Sequence, residues 1–222
     1  MGSGNYVKSA YDISRKVQHD MLDYFSYAII KQGGVCMSKI IKNNYTEVDY
    51  ENWPEDERVE LIDGQIYIMA PPSRVHQEVS MQLSVLIYNY IASKGGRCKV
   101  YSAPFDVRLK DKNDKISRVQ PDISIVCDEK KLNDKGCDGA PDMIIEIASP
   151  SSLSRDYVVK VNLYQNSGVK EYWIVNPHKK SIIVFRMNQN DEYNEVDQYS
   201  FDDTIKVGIF EDLKIDFKNI SM

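Results

Sequence analysis

Residues 139–152 read GAPDMIIEIASPSS, and the fold turns on this stretch. Gly139 and Pro141 mark a turn. Met143, Ile144, Ile145 and Ile147 then form an apolar run of strand length, which reads as a buried strand. Glu146 interrupts that run. A carboxylate among isoleucines needs a cationic partner, a metal or a proton. Alternation along the strand sets Met143, Ile145 and Ile147 on one face, with Ile144, Glu146 and Ala148 on the other.

Working outward, the segment RVQPDISIVC (118–127) predicts a second strand. Val119, Ile123 and Ile125 would share one face, and Gln120, Asp122 and Ser124 the other. If the two strands pair, Asp122 and Glu146 meet at one depth. Two carboxylates that close repel unless they share a proton or hold a cation. A small set of oxygen donors suits Mg²⁺ or Mn²⁺. On the other side, residues 149–168 have helical spacing, with Ser151 or Ser152 as cap and Gly168 as stop. Asp156, Lys160 and Tyr164 recur every four residues and share a face. Lys160 could therefore return over the end of the acidic strand, to stabilise a negative transition state or position an attacking water. The alternative is an exposed Asp156–Lys160 pair of small energetic effect.

The remainder of the chain alternates in the same manner. Residues 1–37 read as a leader, with a tag-like MGSG, loose helical spacing and a second possible start at Met37. Residues 38–222 read as one domain. Thr46 and the acids after it open a short helix, and Asp63-Gly64 turns a hairpin between RVELI and QIYIM. Residues 71–93 (PPSRVHQEVSMQLSVLIYNYIAS) hold the clearest helix, with Ser73 able to cap its start, Gly95-Gly96 ending it, and Val75, Val79, Leu83, Leu86, Ile87 and Tyr90 on one face. Strands are expected at 98–109, 171–176, 181–187 and around 193–200, with a closing segment near 205–217. Strands mixed with helices in this order imply an α/β (α+β) layered fold rather than a sandwich.

Composition agrees with a globular protein: 42% hydrophobic and 27% charged residues in 222. The net charge of −5 argues against coating nucleic acid by bulk charge, yet permits a local basic groove around an acidic centre. The four cysteines (Cys36, Cys98, Cys127, Cys137) lack zinc-ligand spacing and are expected to be free thiols in the cytoplasm. No stretch has the length of a transmembrane helix.

The segments ELIDGQIY, PPSRVHQEV, VQPDISIV, GAPDMIIEIASPSS and RDYVVKVNLYQNSGVKEYWIV, in this order, resemble the Uma-type restriction endonuclease family, a branch of the PD-(D/E)XK nucleases. The resemblance covers about residues 45–220. It implies a restriction-endonuclease-like fold, a central mixed sheet flanked by helices, and metal-dependent cleavage of phosphodiester bonds. Pro121-Asp122 matches the PD element and Glu146-Ile147-Ala148 the (D/E)XK element. Asp122, Glu146 and the Ile147 carbonyl are thereby implied metal ligands for Mg²⁺ or Mn²⁺. Ala148 stands where the superfamily has lysine, which makes Lys160 the implied substitute. Glu60 matches an early family glutamate that would complete the acidic cluster. His76 also belongs to the pattern; it would touch a phosphate or the cluster, or make local hydrogen bonds at a helix start. For the DNA backbone the best basic patch is Arg108, Lys110, Lys112, Lys115 and Arg118, against the plainer alternative of a solvated hairpin loop. By analogy with the superfamily a homodimer is expected. The competing expectations are a nuclease-fold module that binds nucleic acid or a protein partner without cleaving, and an α/β domain in which these acids and Lys160 are only a buried structural triad.

Overall fold

The computed structural model describes residues 44–150, 152 and 155–222. The expected leader at 1–37, and Ser151 as a cap, lie outside the described residues. Helix α1 (Glu47–Glu51) begins in a capping box, in which Thr46 and Asp49 satisfy each other's backbone N–H groups. Strands β1 (Val59–Ile62) and β2 (Gln65–Ile68) form the expected hairpin. Asp63 and Gly64 have φ of 53° and 75°, the positive pair that a tight two-residue turn requires. Helix α2 (Arg74–Ser93) is capped by the Ser73 side chain, which accepts from the His76 N–H. Its buried face is Val79, Ser80, Leu83, Ile87 and Ile91. Leu86, expected on that face, is instead exposed, one step round the helix from Ile87.

Two expected strands each divide in two. Residues 98–109 give β3 (Lys99–Ser102) and β4 (Val107–Lys110), and the expected strand at 118–127 is shared between the end of β5 (Ile116–Val119) and β6 (Ile123–Val126). Pro104 and Pro121 lie in the breaks, where a residue without an N–H cannot continue a ladder. Each divided segment crosses from one sheet to the other. Val119 consequently packs in a different cluster from Ile123 and Ile125, which corrects the single-strand alternation.

Strands β7 (Leu132–Asn133) and β8 (Gly136–Asp138) finish a first sheet in the order β2-β1-β5-β4-β8-β7. The second sheet uses β9 (Met143–Ile147), β10 (Glu171–Asn176), β11 (Ser181–Arg186) and β12 (Glu195–Ser200), ordered β12-β11-β10-β9-β6-β3. It is mixed: β9 and β10 run parallel and the other neighbours antiparallel. The crossover between β9 and β10 is a π-helical turn (Arg155–Val159) leading into α3 (Lys160–Ser167), which stops at Gly168 with φ of 88°. A hairpin of β13 (Thr204–Lys206) and β14 (Lys214–Asp216) closes the chain.

All residues of β9 and β10 are buried, because the second sheet is covered on both faces. On one face Ile123, Ile125, Met143, Ile145, Ile147, Trp173 and Val175 pack against α2 and the closing hairpin. On the other, Ile144, Ala148, Tyr172 and Ile174 pack against Leu163 and Tyr164 of α3 and the first sheet's Val107, Leu109 and Val119. The alternation expected along β9 is therefore real, and it aims Glu146 into the layer that contains α3.

The cysteines differ from expectation. β3 and β6 pair with Lys99 opposite Val126, which sets Cys98 beside Cys127, and the two are joined in a disulfide. Their separation of 29 residues carries no hint of this, since only the antiparallel register makes them neighbours. Cys137 is a buried free thiol, and burial pushes it from an ordinary value of about 9 up to about 11. Native protein at pH 8 is expected to resist iodoacetamide at Cys137 and to react once unfolded, which mass spectrometry would read. A raised thiol also costs stability above pH 9, where the unfolded chain ionises first.

Candidate active site

One cleft of about 340 Å³ gathers the acids, His76, Arg155 and Lys160 from four of the segments that line it. The β2–α2 loop and first turn of α2 bring His76, the break before β6 brings Asp122, and β9 with its exit brings Glu146 to Pro150. The π-helical turn and the start of α3 bring Arg155, Asp156 and Lys160. Ile123 pairs with Ile145, so Asp122, immediately before β6, is level with Glu146 on the neighbouring antiparallel strand β9.

Each acid has a distinct set of partners. Asp122 Oδ2 accepts from the Ile147 N–H at 2.7 Å and lies 3.0 Å from His76 Nε2. Glu146 Oε1 accepts from Lys160 Nζ and from Tyr164 Oη, both at 2.7 Å. Lys160 Nζ also donates to Glu60 Oε1 at 2.9 Å, and the Gln120 N–H donates to that same oxygen at 3.1 Å. Glu60 is fully buried and does not line the cleft; it stands behind Lys160. Its Oε2 has no hydrogen-bond partner and lies 3.6 Å from Arg155 Nη1.

The alternative of a solvated Asp156–Lys160 pair does not survive, because the two residues are 2% and 1% exposed. Glu60, Asp122, Glu146 and Asp156 face Lys160 and Arg155, a formal surplus of two negative charges. The pKa shifts carry the same message. Burial, with Asp122, Asp156 and Glu60 adding to it against Lys160, pushes Glu146 up to about 8. Burial also raises Asp156. For Lys160 burial works in the opposite direction, but Glu146 and Glu60 outweigh it and hold the ammonium well above the ordinary lysine value. Acid and base shift upward for different reasons: burial disfavours the charged carboxylates, while the neighbouring acids favour the charged ammonium. Among the described residues no group of three or more His, Cys, Asp or Glu side chains is placed to hold a metal ion. The cleft offers a pair of carboxylates instead.

The basic hairpin is not part of this cleft. Arg108 is paired with Glu47 and Asp138, and Arg118 with Glu47 and Asp106. Lys110 pairs with Asp114 and Lys115 with Asp63. None of these four, nor Lys112, borders the cleft.

Two contributors were not assigned from sequence. Tyr164 shared a predicted face with Lys160, which was the available signal for its hydrogen bond to Glu146. Burial holds its phenol well above the ordinary value, so it acts as a donor. Arg155 had no signal, since nothing in the spacing separates it from a solvated helix-start arginine.

The family model Uma2, described as "Putative restriction endonuclease", matches residues 48–218. The uncharacterised protein slr1290 of Synechocystis sp. is 27% identical over 148 residues, which is 65% of this chain and 75% of that protein. A crystal structure from Anabaena variabilis, described as "a putative nuclease belonging to DUF820", matches with a TM-score of 0.64 at 19% identity, over 79% of this chain and 97% of that one. At that identity the likeness speaks for the fold, which agrees with the mixed α/β architecture expected from sequence.

Proposed function

Since the chain belongs to the Uma2 restriction endonuclease family, we propose that it is a Mg²⁺- or Mn²⁺-dependent endonuclease that hydrolyses phosphodiester bonds in DNA. The observation that carries this reading is the level pair Asp122 and Glu146 in one cleft, with Lys160 buried against Glu146. Their chemistry fits the ion. Mg²⁺ accepts one or two carboxylates and keeps several waters, and the surplus of two negative charges matches a divalent cation. Asp122 and Glu146 would hold it, with the Ile147 carbonyl beside them. Bound there, the ion supplies an activated water and charge neutralisation at phosphorus.

The remaining steps belong to side chains. His76 and the Ile147 N–H fix one oxygen of Asp122, and Tyr164 with Lys160 fixes one oxygen of Glu146. Glu60 keeps Lys160 protonated and aimed at Glu146. Lys160 thus supplies from α3 the positive charge that Ala148 cannot supply from β9. In this reading that charge would stabilise the water attacking phosphorus or the pentacoordinate transition state that the attack forms. In this reading a homodimer would present two clefts to two strands. Among the described residues no helix is long and apolar enough to cross a membrane.

One observation favours a second reading, a nuclease-fold module that binds nucleic acid or a protein partner without cutting: Lys160 is spent on Glu60 and Glu146. Incubating purified protein with supercoiled plasmid, with Mg²⁺, with Mn²⁺ and with EDTA, separates the two. Nicking or linearisation that EDTA abolishes is expected. DNA retention in a gel shift without cleavage at either ion would select the non-cutting module.

A further inference from the structure

Arg155 lines the cleft with Glu146, Lys160 and Asp122, yet among the described residues its guanidinium donates no hydrogen bond. The nearest acidic atom, Glu60 Oε2, is 3.6 Å from Nη1, beyond a good hydrogen bond. Its Nε is buried and unpartnered. The group lies over a ring: the guanidinium carbon sits 5.7 Å from the centroid of Tyr67, a cation–π contact that consumes no donors. The other arginine of the cleft is already occupied, since Arg58 donates through Nε and Nη2 to Gln120 Oε1.

An arginine held against a ring, lining an acid-rich cleft, its only ion pair the 3.6 Å approach of Glu60 and its fork donating no hydrogen bond among the described residues, has the chemistry of a bidentate oxyanion site. We propose that Arg155 binds the non-bridging oxygens of the phosphodiester to be cleaved. This rests on the nuclease reading for the identity of the anion, but not for its existence. Arg155 and the metal-holding carboxylates then have separate tasks. The acids take the cation, and Arg155 takes the substrate, offsetting the repulsion that Glu60 and Asp156 would impose on an incoming phosphate. A lysine could supply the charge at this position but not the fork.

The test uses the full chain and the variants Arg155→Lys and Arg155→Gln. Three readouts are taken: hydrolysis of bis(p-nitrophenyl) phosphate in Mn²⁺, binding of inorganic phosphate in Mg²⁺ by calorimetry, and Mn²⁺ binding by electron paramagnetic resonance. Arg155→Gln is expected to weaken phosphate binding and raise the diester KM by about ten- to a hundredfold, the range for losing charge-assisted hydrogen bonds. Arg155→Lys should recover only part of this, and Mn²⁺ binding should be unchanged in both. Should Arg155→Gln fold poorly, the Arg155→Lys result decides. Wild-type phosphate binding and diester KM in Arg155→Lys would overturn the inference, leaving the arginine as a counter-charge to Glu60. A wild type that hydrolyses no diester, yet binds phosphate through Arg155, would overturn the nuclease reading and uphold the anion site.

Discussion

Asp122→Asn and Glu146→Gln are each expected to lose Mn²⁺ binding and to cut plasmid at least about a hundredfold more slowly than wild type. Altering mere supporting groups of a metal site already costs ten- to a hundredfold, and these two are the acids assigned to the ion. The substitutions keep the shape and the accepting oxygens, so the Ile147 N–H, His76, Lys160 and Tyr164 retain an acceptor. Stability should move in the opposite direction from activity. Asp122→Asn removes a carboxylate beside other acids, and Glu146→Gln replaces a carboxyl that burial already raises to about 8, so it changes little charge at pH 7. The melting temperature measured in EDTA is expected to stay level or rise, by the equivalent of at most about 1 kcal/mol. Adding Mg²⁺ should raise it in wild type and leave it unmoved in the variants. Unchanged cleavage in both variants would remove the proposed centre. A fall in stability with no loss of Mn²⁺ binding would instead identify a structural acid pair.

The opposed signs explain what was legible in the sequence. Glu146 stood out because it broke an apolar strand, and strand periodicity alone gave its face. Lys160 followed from helical spacing after that strand. Both depend on short-range geometry, which alternation and the four-residue repeat encode directly. What stayed hidden depends on long-range register. Asp122 lies level with Glu146 although the strand assumed to carry it is two strands in two sheets, because Ile123 to Val126 keeps its own alternation and register with β9. The Cys98–Cys127 bond required knowing that β3 lies beside β6. The basic hairpin looked available because sequence shows Arg108 and Arg118 but not Glu47, which reaches them from α1 across 61 and 71 residues. Charge runs read along a chain overstate free charge wherever the fold brings acids from elsewhere.

Lys160→Ala should be the most destabilising substitution in the cleft. The ammonium is 1% exposed and bridges Glu60 and Glu146 at 2.9 Å and 2.7 Å. Its removal leaves both carboxylates buried without their common cation. Breaking such a buried pair typically costs about 3–5 kcal/mol. At about 2–4 °C per kcal/mol for a chain of this size, the melting temperature should fall by roughly 6–20 °C. The loss belongs to the stranded charges rather than to missing packing, and a second variant separates the two. Lys160→Met preserves most of the side-chain volume and should be nearly as unstable as Lys160→Ala. Adding Glu60→Gln to Lys160→Met should then restore more than half of the loss, because one of the two stranded charges is gone. Cleavage should stay absent in all three, since none retains a cation against Glu146. A Lys160→Met protein as stable as wild type would contradict the buried ion triad. A stable Lys160→Met protein that also cut plasmid would take Lys160 out of the mechanism and pass its role to another cation of the cleft, of which Arg155 is the one with donors to spare.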